Sequence, residues 1–132
     1  LIVIAIKGQE SKVTSDFLAA SVGVNPVIIR KTLSQLKKAG LISVARGTGG
    51  TEIIKDLQDI SLFDVYQAVE CLGKSGKLFS FHDNPNPNCP VGANIHKVLD
   101  QKLLDIQVAM ENQLRQMSLA QVVADAEARI AK

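Results

Sequence analysis

Apolar residues recur at helical spacing along most of this chain and alternate with polar ones only around one glycine-rich segment. Leu1–Lys7 is almost wholly aliphatic and reads as the end of a buried helix. Thr14 or Ser15 can then cap a helix whose Phe17, Leu18 and Val22 fall on one face, and Gly23 ends it. Asn25 is a second N-cap, and Pro26 is pre-set for the first helical position behind it. Ile28, Ile29, Leu33 and Leu36 carry the period of that helix; Lys37 and Lys38 suit its C-terminal turn, and Gly40 stops it. Two short helices joined by a few residues around a glycine form a helix-turn-helix.

Leu41–Ala45 and Thr51–Lys55 are short and β-branched, and the glycines between them make a hairpin. Asp59–Leu72 returns to helical spacing, with Ser61 as N-cap and Asp64 close to a capping box. Gly73–Gly92 holds glycine, proline and asparagine without a period and reads as a loop. A long helix follows, from Asn94 to about Met117. Its Ile95, Leu99, Leu103, Ile106, Met110, Leu114 and Met117 are spaced 4, 4, 3, 4, 4 and 3. That is a heptad-like stripe, which a single helix cannot bury alone. Packing on its own domain is one solution; a partner helix in a second subunit is the favoured one. Ser118 begins a last short helix.

The expected fold is mainly α with a small β-hairpin wing (α+β): a winged helix-turn-helix with a long C-terminal dimerisation helix. Residues 1–72 are expected to form the winged domain, 73–93 a linker, and 94–132 the dimerisation and C-terminal helices.

Composition adds limits. Hydrophobic residues make up 46% of the 132 and charged residues 21%, which marks a globular chain. With four Phe, one Tyr and no Trp, the core must be aliphatic. No apolar run approaches the roughly 20 residues of a membrane span. The opening LIVIAI is too short for a signal peptide, and it carries the expectation that residues precede Leu1. Two cysteines, Cys71 and Cys89, make no disulfide framework and fit a reducing cytoplasm. The net charge of +2 hides an asymmetry: residues 1–55 carry eight Lys/Arg against three acids, and the remainder seven against ten. A basic N-terminal part suits a polyanion, and equally a solvated surface.

Within that basic part, Asn25, Val27, Arg30, Lys31 and Ser34 are expected on the exposed face of the second helix. One helix fits the major groove, where Arg30 can read guanine bidentately while Lys31, Ser34 and Lys37 hold phosphates. The segment Arg46–Gly50 is open to three readings: a plain hairpin, a phosphate loop, or a finger on DNA. It lacks the length and the Lys-Ser/Thr ending of a Walker loop. Directly after a basic helix of this kind, a wing whose Arg46 enters the minor groove is favoured. No Ser/His/Asp spacing, paired acids or metal-ligand cluster supports an enzyme; His82 beside Asp83 is a single adjacent pair.

LKKAGL (Leu36–Leu41), SVARGTGG (Ser43–Gly50) and ISLFDVYQAVE (Ile60–Glu70), in this order, resemble the Rrf-two (Rrf2) family of winged-helix transcriptional regulators. NCPVGANIHKVLD resembles the stretch leading into that family's dimerisation helix. The resemblance covers nearly the whole chain. It implies a bacterial, cytoplasmic, homodimeric regulator, a repressor by preference, on a pseudo-palindromic stretch of double-stranded DNA. The DNA-binding set it implies is Thr14, Ser15, Asn25, Val27, Ile28, Arg30, Lys31, Ser34, Lys37, Arg46, Gly47, Thr48 and Gly49. Many members place Tyr-Leu and an acidic or Gln residue early in the recognition helix; Ile28, Ile29 and Arg30 here imply a different operator, and Thr48 replaces the wing proline. Cluster-binding members carry three loop cysteines. This loop has only Cys89, so no iron–sulfur cluster and no other cofactor is expected. Cys71 reads as a buried apolar thiol, and His96 as a packed or surface histidine beside the stripe. Cys89, in a Pro/Asn-rich loop before a helix, is either a redox- or effector-sensing thiol or an inert one. The alternatives to a DNA-binding regulator are a winged-helix protein-interaction module and a thiol or metal sensor with little DNA binding.

Overall fold

The computed structural model describes residues 1–69, 72–73, 75–80 and 83–132. Six helices and one hairpin follow in the order α1 (Ile2–Lys7), α2 (Ser15–Val22), α3 (Pro26–Lys38), β1 (Ile42–Val44), β2 (Thr51–Ile53), α4 (Leu62–Ala68), α5 (Ile95–Arg115) and α6 (Leu119–Ile130). Single 3₁₀ turns precede α4 at Leu57–Asp59 and α5 at Gly92–Asn94.

The helix-turn-helix is built by its caps. Thr14 Oγ1 accepts from the Phe17 amide at 3.2 Å, and Gly23, at φ 76°, closes α2 by donating to Ala19 O. Asn25 Oδ1 then accepts from the Val27 amide at 2.8 Å, and Pro26 opens α3. α3 ends on Ala39, and the Leu41 amide reaches back to Leu36 O at 3.1 Å across Gly40. The faces differ from expectation in two places. Leu18 and Ala19 are the buried residues of α2, while Phe17 is 42% and Val22 55% exposed. In α3, Leu33 and Leu36 face the core but Ile28 points outward. An eight-residue helix that buries one edge cannot cover apolar residues spread over two faces, and Ile28 lies about 100° around the axis from Ile29, which does pack on the core.

β1 and β2 pair antiparallel, Ile42 opposite Ile53 and Val44 opposite Thr51. The Thr51 amide donates to Val13 O at 2.8 Å, which ties the hairpin to the segment entering α2. Behind the sheet lies one core: Ile4, Val13, Leu18, Leu33, Leu36, Leu41, Ile42, Ile60, Leu119 and Val123. Every fully buried apolar residue described is aliphatic, as the composition requires.

α6 returns to this core. Its Leu119 and Val123 lie with Ile4, and the Leu119 amide donates to Ile60 O at 2.7 Å while the Leu62 amide donates to Met117 O at 2.8 Å. These bonds bring two helix N-termini side by side. Both carry capping boxes, Ser61 with Asp64 and Ser118 with Gln121. The same arrangement stops the long helix early: α5 closes at Arg115, so Met117, expected on its stripe, lies in the connection to α6.

α5 meets the rest of the chain chiefly at α4, where the Arg115 guanidinium lies 3.9 Å over the Phe63 ring. Its one fully buried residue is Gln107. That side chain accepts from the Leu78 amide at 2.9 Å and donates to Gly76 O and to Glu111 Oε1, each at 2.9 Å, so it fastens the 76–80 loop to the helix. The apolar stripe stays largely uncovered. Ile95, Leu99, Leu103, Met110 and Leu114 are only half-buried, and Ile106 is 53% exposed.

Candidate DNA-binding surface

α2, α3 and the hairpin enclose a cleft of about 350 Å³. Thr14 and Ser15 at the start of α2 form one wall. Arg30, Ser34 and Lys37, spaced along one side of α3, form another, and Gly47 of the hairpin turn closes the third. These six expected DNA-binding residues therefore come together. Val44, Ala45 and Thr51 also line the cleft and were not among the expected set. The signal for Val44 is weak, because a three-residue strand gives too little alternation to separate its faces.

The remaining expected residues do not line that cleft. Asn25, Val27, Ile28 and Lys31 lie exposed on α3, beyond the cleft. On the helical wheel Val27 shares a face with Arg30, Lys31 and Ser34, at spacings of three, four and seven. Arg46 and Thr48 are exposed at the hairpin tip, and Gly49 is half-buried beneath them. Among the described residues the one Lys or Arg side chain paired with a carboxylate is Lys7, with Glu10, so no carboxylate neutralises Arg30, Lys31, Lys37 or Arg46.

The glycines at the tip have distinct steric reasons. A Cβ on Gly49 would collide with the Ala45 side chain. Gly50 sits at φ 85°, and a Cβ there would meet the Val13 amide at 3.1 Å. The turn is closed by the Ala45 amide donating to Gly50 O at 3.0 Å. Gly50 thus lets the hairpin approach the strand-like segment that leads into α2. The turn carrying Arg46 is fixed relative to the helix-turn-helix by backbone contacts, not by a flexible tether.

The other candidate chemistry lies elsewhere. Cys89 is exposed, and the Gly92 amide donates to its Sγ at 3.5 Å. His96 Nδ1 lies 3.0 Å from Asp100 Oδ1 on the surface of α5. Cys71 and His82, and Glu70 at the end of the third sequence segment, lie outside the described residues. Among the described residues no group of three or more His, Cys, Asp or Glu could hold a metal ion, and no helix is long and apolar enough to cross a membrane.

A helix-turn-helix with a cationic second helix, followed by a hairpin whose basic tip flanks the same cleft, defines a winged-helix DNA-binding protein. The particular family is equally definite. A family model described as Rrf2, iron-dependent transcriptional regulator, matches residues 1–125, and the chain belongs to that family. YwnA of Bacillus subtilis, named as an HTH-type transcriptional regulator, is 41% identical over 121 residues, covering 92% of this chain and 89% of its own. A crystal structure described as that of a DNA-binding protein is 37% identical, with a TM-score of 0.69 and 91% of each chain covered. IscR of T. potens, at 22% identity, shares the fold with a TM-score of 0.66 over 97% of this chain and 80% of its own. The family is one of transcriptional regulators, not of enzymes.

Proposed function

We propose that this protein is a homodimeric, sequence-specific repressor that binds a two-fold-symmetric operator and works without the iron–sulfur cluster of its cluster-binding relatives. The observation that carries the DNA reading is the convergence of Arg30, Ser34, Lys37 and the Arg46 turn on one cleft, with no acidic partner among the described residues. α3 enters the major groove, Arg30 reads a guanine edge, Lys31 and Lys37 hold phosphates, and Arg46 follows the minor groove. Support for the dimer comes from α5. It has 21 residues, hence a length of about 32 Å at 1.5 Å per residue, and among the described residues its stripe is only half-covered, with Ile106 53% exposed. A two-fold axis along that stripe places two copies of α3 for two half-sites. The cofactor reading rests on donors: the chain's two cysteines cannot supply three thiolates.

Salt dependence tests this reading against a protein-interaction role for the same winged helix. Each dimer presents Arg30, Lys31, Lys37 and Arg46 twice. The affinity for duplex DNA is expected to fall steeply with ionic strength, by about 10²-fold between 50 and 200 mM salt for the four phosphates that Lys31 and Lys37 of the two protomers hold. Lys37→Ala should flatten the slope of log K against log salt by about one unit for each phosphate that Lys37 holds. A salt-independent affinity, or no affinity for any duplex at low salt, contradicts the DNA reading.

A further inference from the structure

The first turn of α3 presents two branched aliphatic side chains to solvent, Val27 at 62% and Ile28 at 56% exposure. They stand among cations and a hydroxyl, at the end of the helix that meets the groove first. Two hydrogen-bonding groups of this turn are already engaged: Asn25 Oδ1 caps the helix through the Val27 amide, and Thr32 Oγ1 donates to Ile28 O at 3.0 Å. Val27 and Ile28 can donate and accept nothing through their side chains. In the major groove the one apolar feature that distinguishes a base is the C5-methyl group of thymine. We infer that Val27 and Ile28 read thymine in each half-site by packing on its C5-methyl group.

This rests on the DNA reading above and deepens it. Val27 lies on the face shared with Arg30, Lys31 and Ser34, while Ile28 lies around the axis, away from the cleft that Arg30 and Lys37 line. The thymines are therefore expected beside, not beneath, the guanine that Arg30 reads. The surrounding charge selects a polyanion over a second copy of the chain as the occupant of this face, whereas the uncharged stripe of α5 suits a second copy. Pro26 and the Asn25 cap hold the first turn in place before binding, so packing on the methyl groups requires little ordering.

The test uses an operator recovered from a random duplex pool and replaces each thymine in turn, in both half-sites together, by deoxyuridine. Only the methyl group is removed. Loss of one buried methyl group lowers affinity about fourfold, so the paired replacement is expected to cost about 15-fold at one or two half-site positions. Val27→Ala and Ile28→Ala should each bind the thymine and uracil duplexes with more nearly equal affinity at one of those positions. Both side chains are exposed, and the melting temperatures of the variants should match the parent. A tight operator that is indifferent to uracil at every position overturns the inference and leaves the DNA reading standing. So do variants that lose the same affinity on both duplexes, because their side chains then touch something other than the methyl. Failure to recover any operator overturns the DNA reading, and the thymine inference with it.

Discussion

Ile106→Glu is expected to convert the protein to a monomer and to lower its operator affinity by about 10²- to 10⁴-fold, the range that loss of a second linked site commonly removes. Ile106 is 53% exposed on α5, in the middle of a stripe that the described residues leave only half-covered. A carboxylate on a solvent-facing helix surface changes the stability of the protomer by about 0.5 kcal/mol at most. Buried between two helices, the same carboxylate must lose its hydration without a partner, which costs several kcal/mol. Sedimentation equilibrium reads the assembly, and titration of an operator duplex reads the affinity. The protomer's helix content should be unchanged. A dimeric Ile106→Glu variant with parental affinity would remove α5 as the dimer seam.

Ile60→Ala is expected to destabilise the fold by about 2–5 kcal/mol, a large part of the roughly 5–15 kcal/mol that a domain of this size possesses. Ile60 is wholly buried, and its neighbours are residues from opposite ends of the chain. Its carbonyl accepts the Leu119 amide, and Ser61 beside it caps α4 while pairing with Ser118, which caps α6. A cavity at this point weakens the junction that returns α6 to the winged domain. Urea denaturation at fixed protein concentration measures the effect, since the apparent stability of the proposed dimer depends on concentration. A loss under 1 kcal/mol would mean that α6 and α4 are held apart from this core.

The winged domain was legible because its signals are local. Asn25, Pro26, Gly23 and Gly40 act within a few residues of themselves, so the limits of α2 and α3 follow from the sequence to within a residue or two. The Ser61–Asp64 capping box was legible for the same reason. Burial within α2 was legible only at Leu18: Phe17 and Val22 also look like core residues, and the packing of α2 against α3 decides that Ala19 is covered instead of them. Gln107 was invisible as a buried residue because its hydrogen-bonding partners at Leu78 and Gly76 lie 29 and 31 residues away. α5 ends two residues short of its expected limit because what stops it is the pairing of Met117 and Ser118 with Leu62 and Ser61, a tertiary event. The place of α6 in the core has the same origin: an amphipathic period predicts a helix but not the surface it meets.

At the candidate site, the cationic residues of α3 and the Arg46 turn were legible as types, and the cleft that gathers them was not. It depends on the Thr51–Val13 bond and on the close approach at Gly50, neither of which has a sequence period. Val27 was legible as an exposed position of α3, whereas Ile28, which shares the apolar period of Ile29, Leu33 and Leu36, was hard to set apart from the core residues.

In the proposed dimer two copies of α3, set by the α5 seam, meet two related half-sites. Selection of bound sequences from a random duplex pool, with reduced and metal-free protein at low salt, tests it most directly. The expected result is a motif with two-fold symmetry whose half-site centres lie about 34–36 Å apart or a multiple of that. A motif without symmetry, or sequences no different from the starting pool, would contradict it.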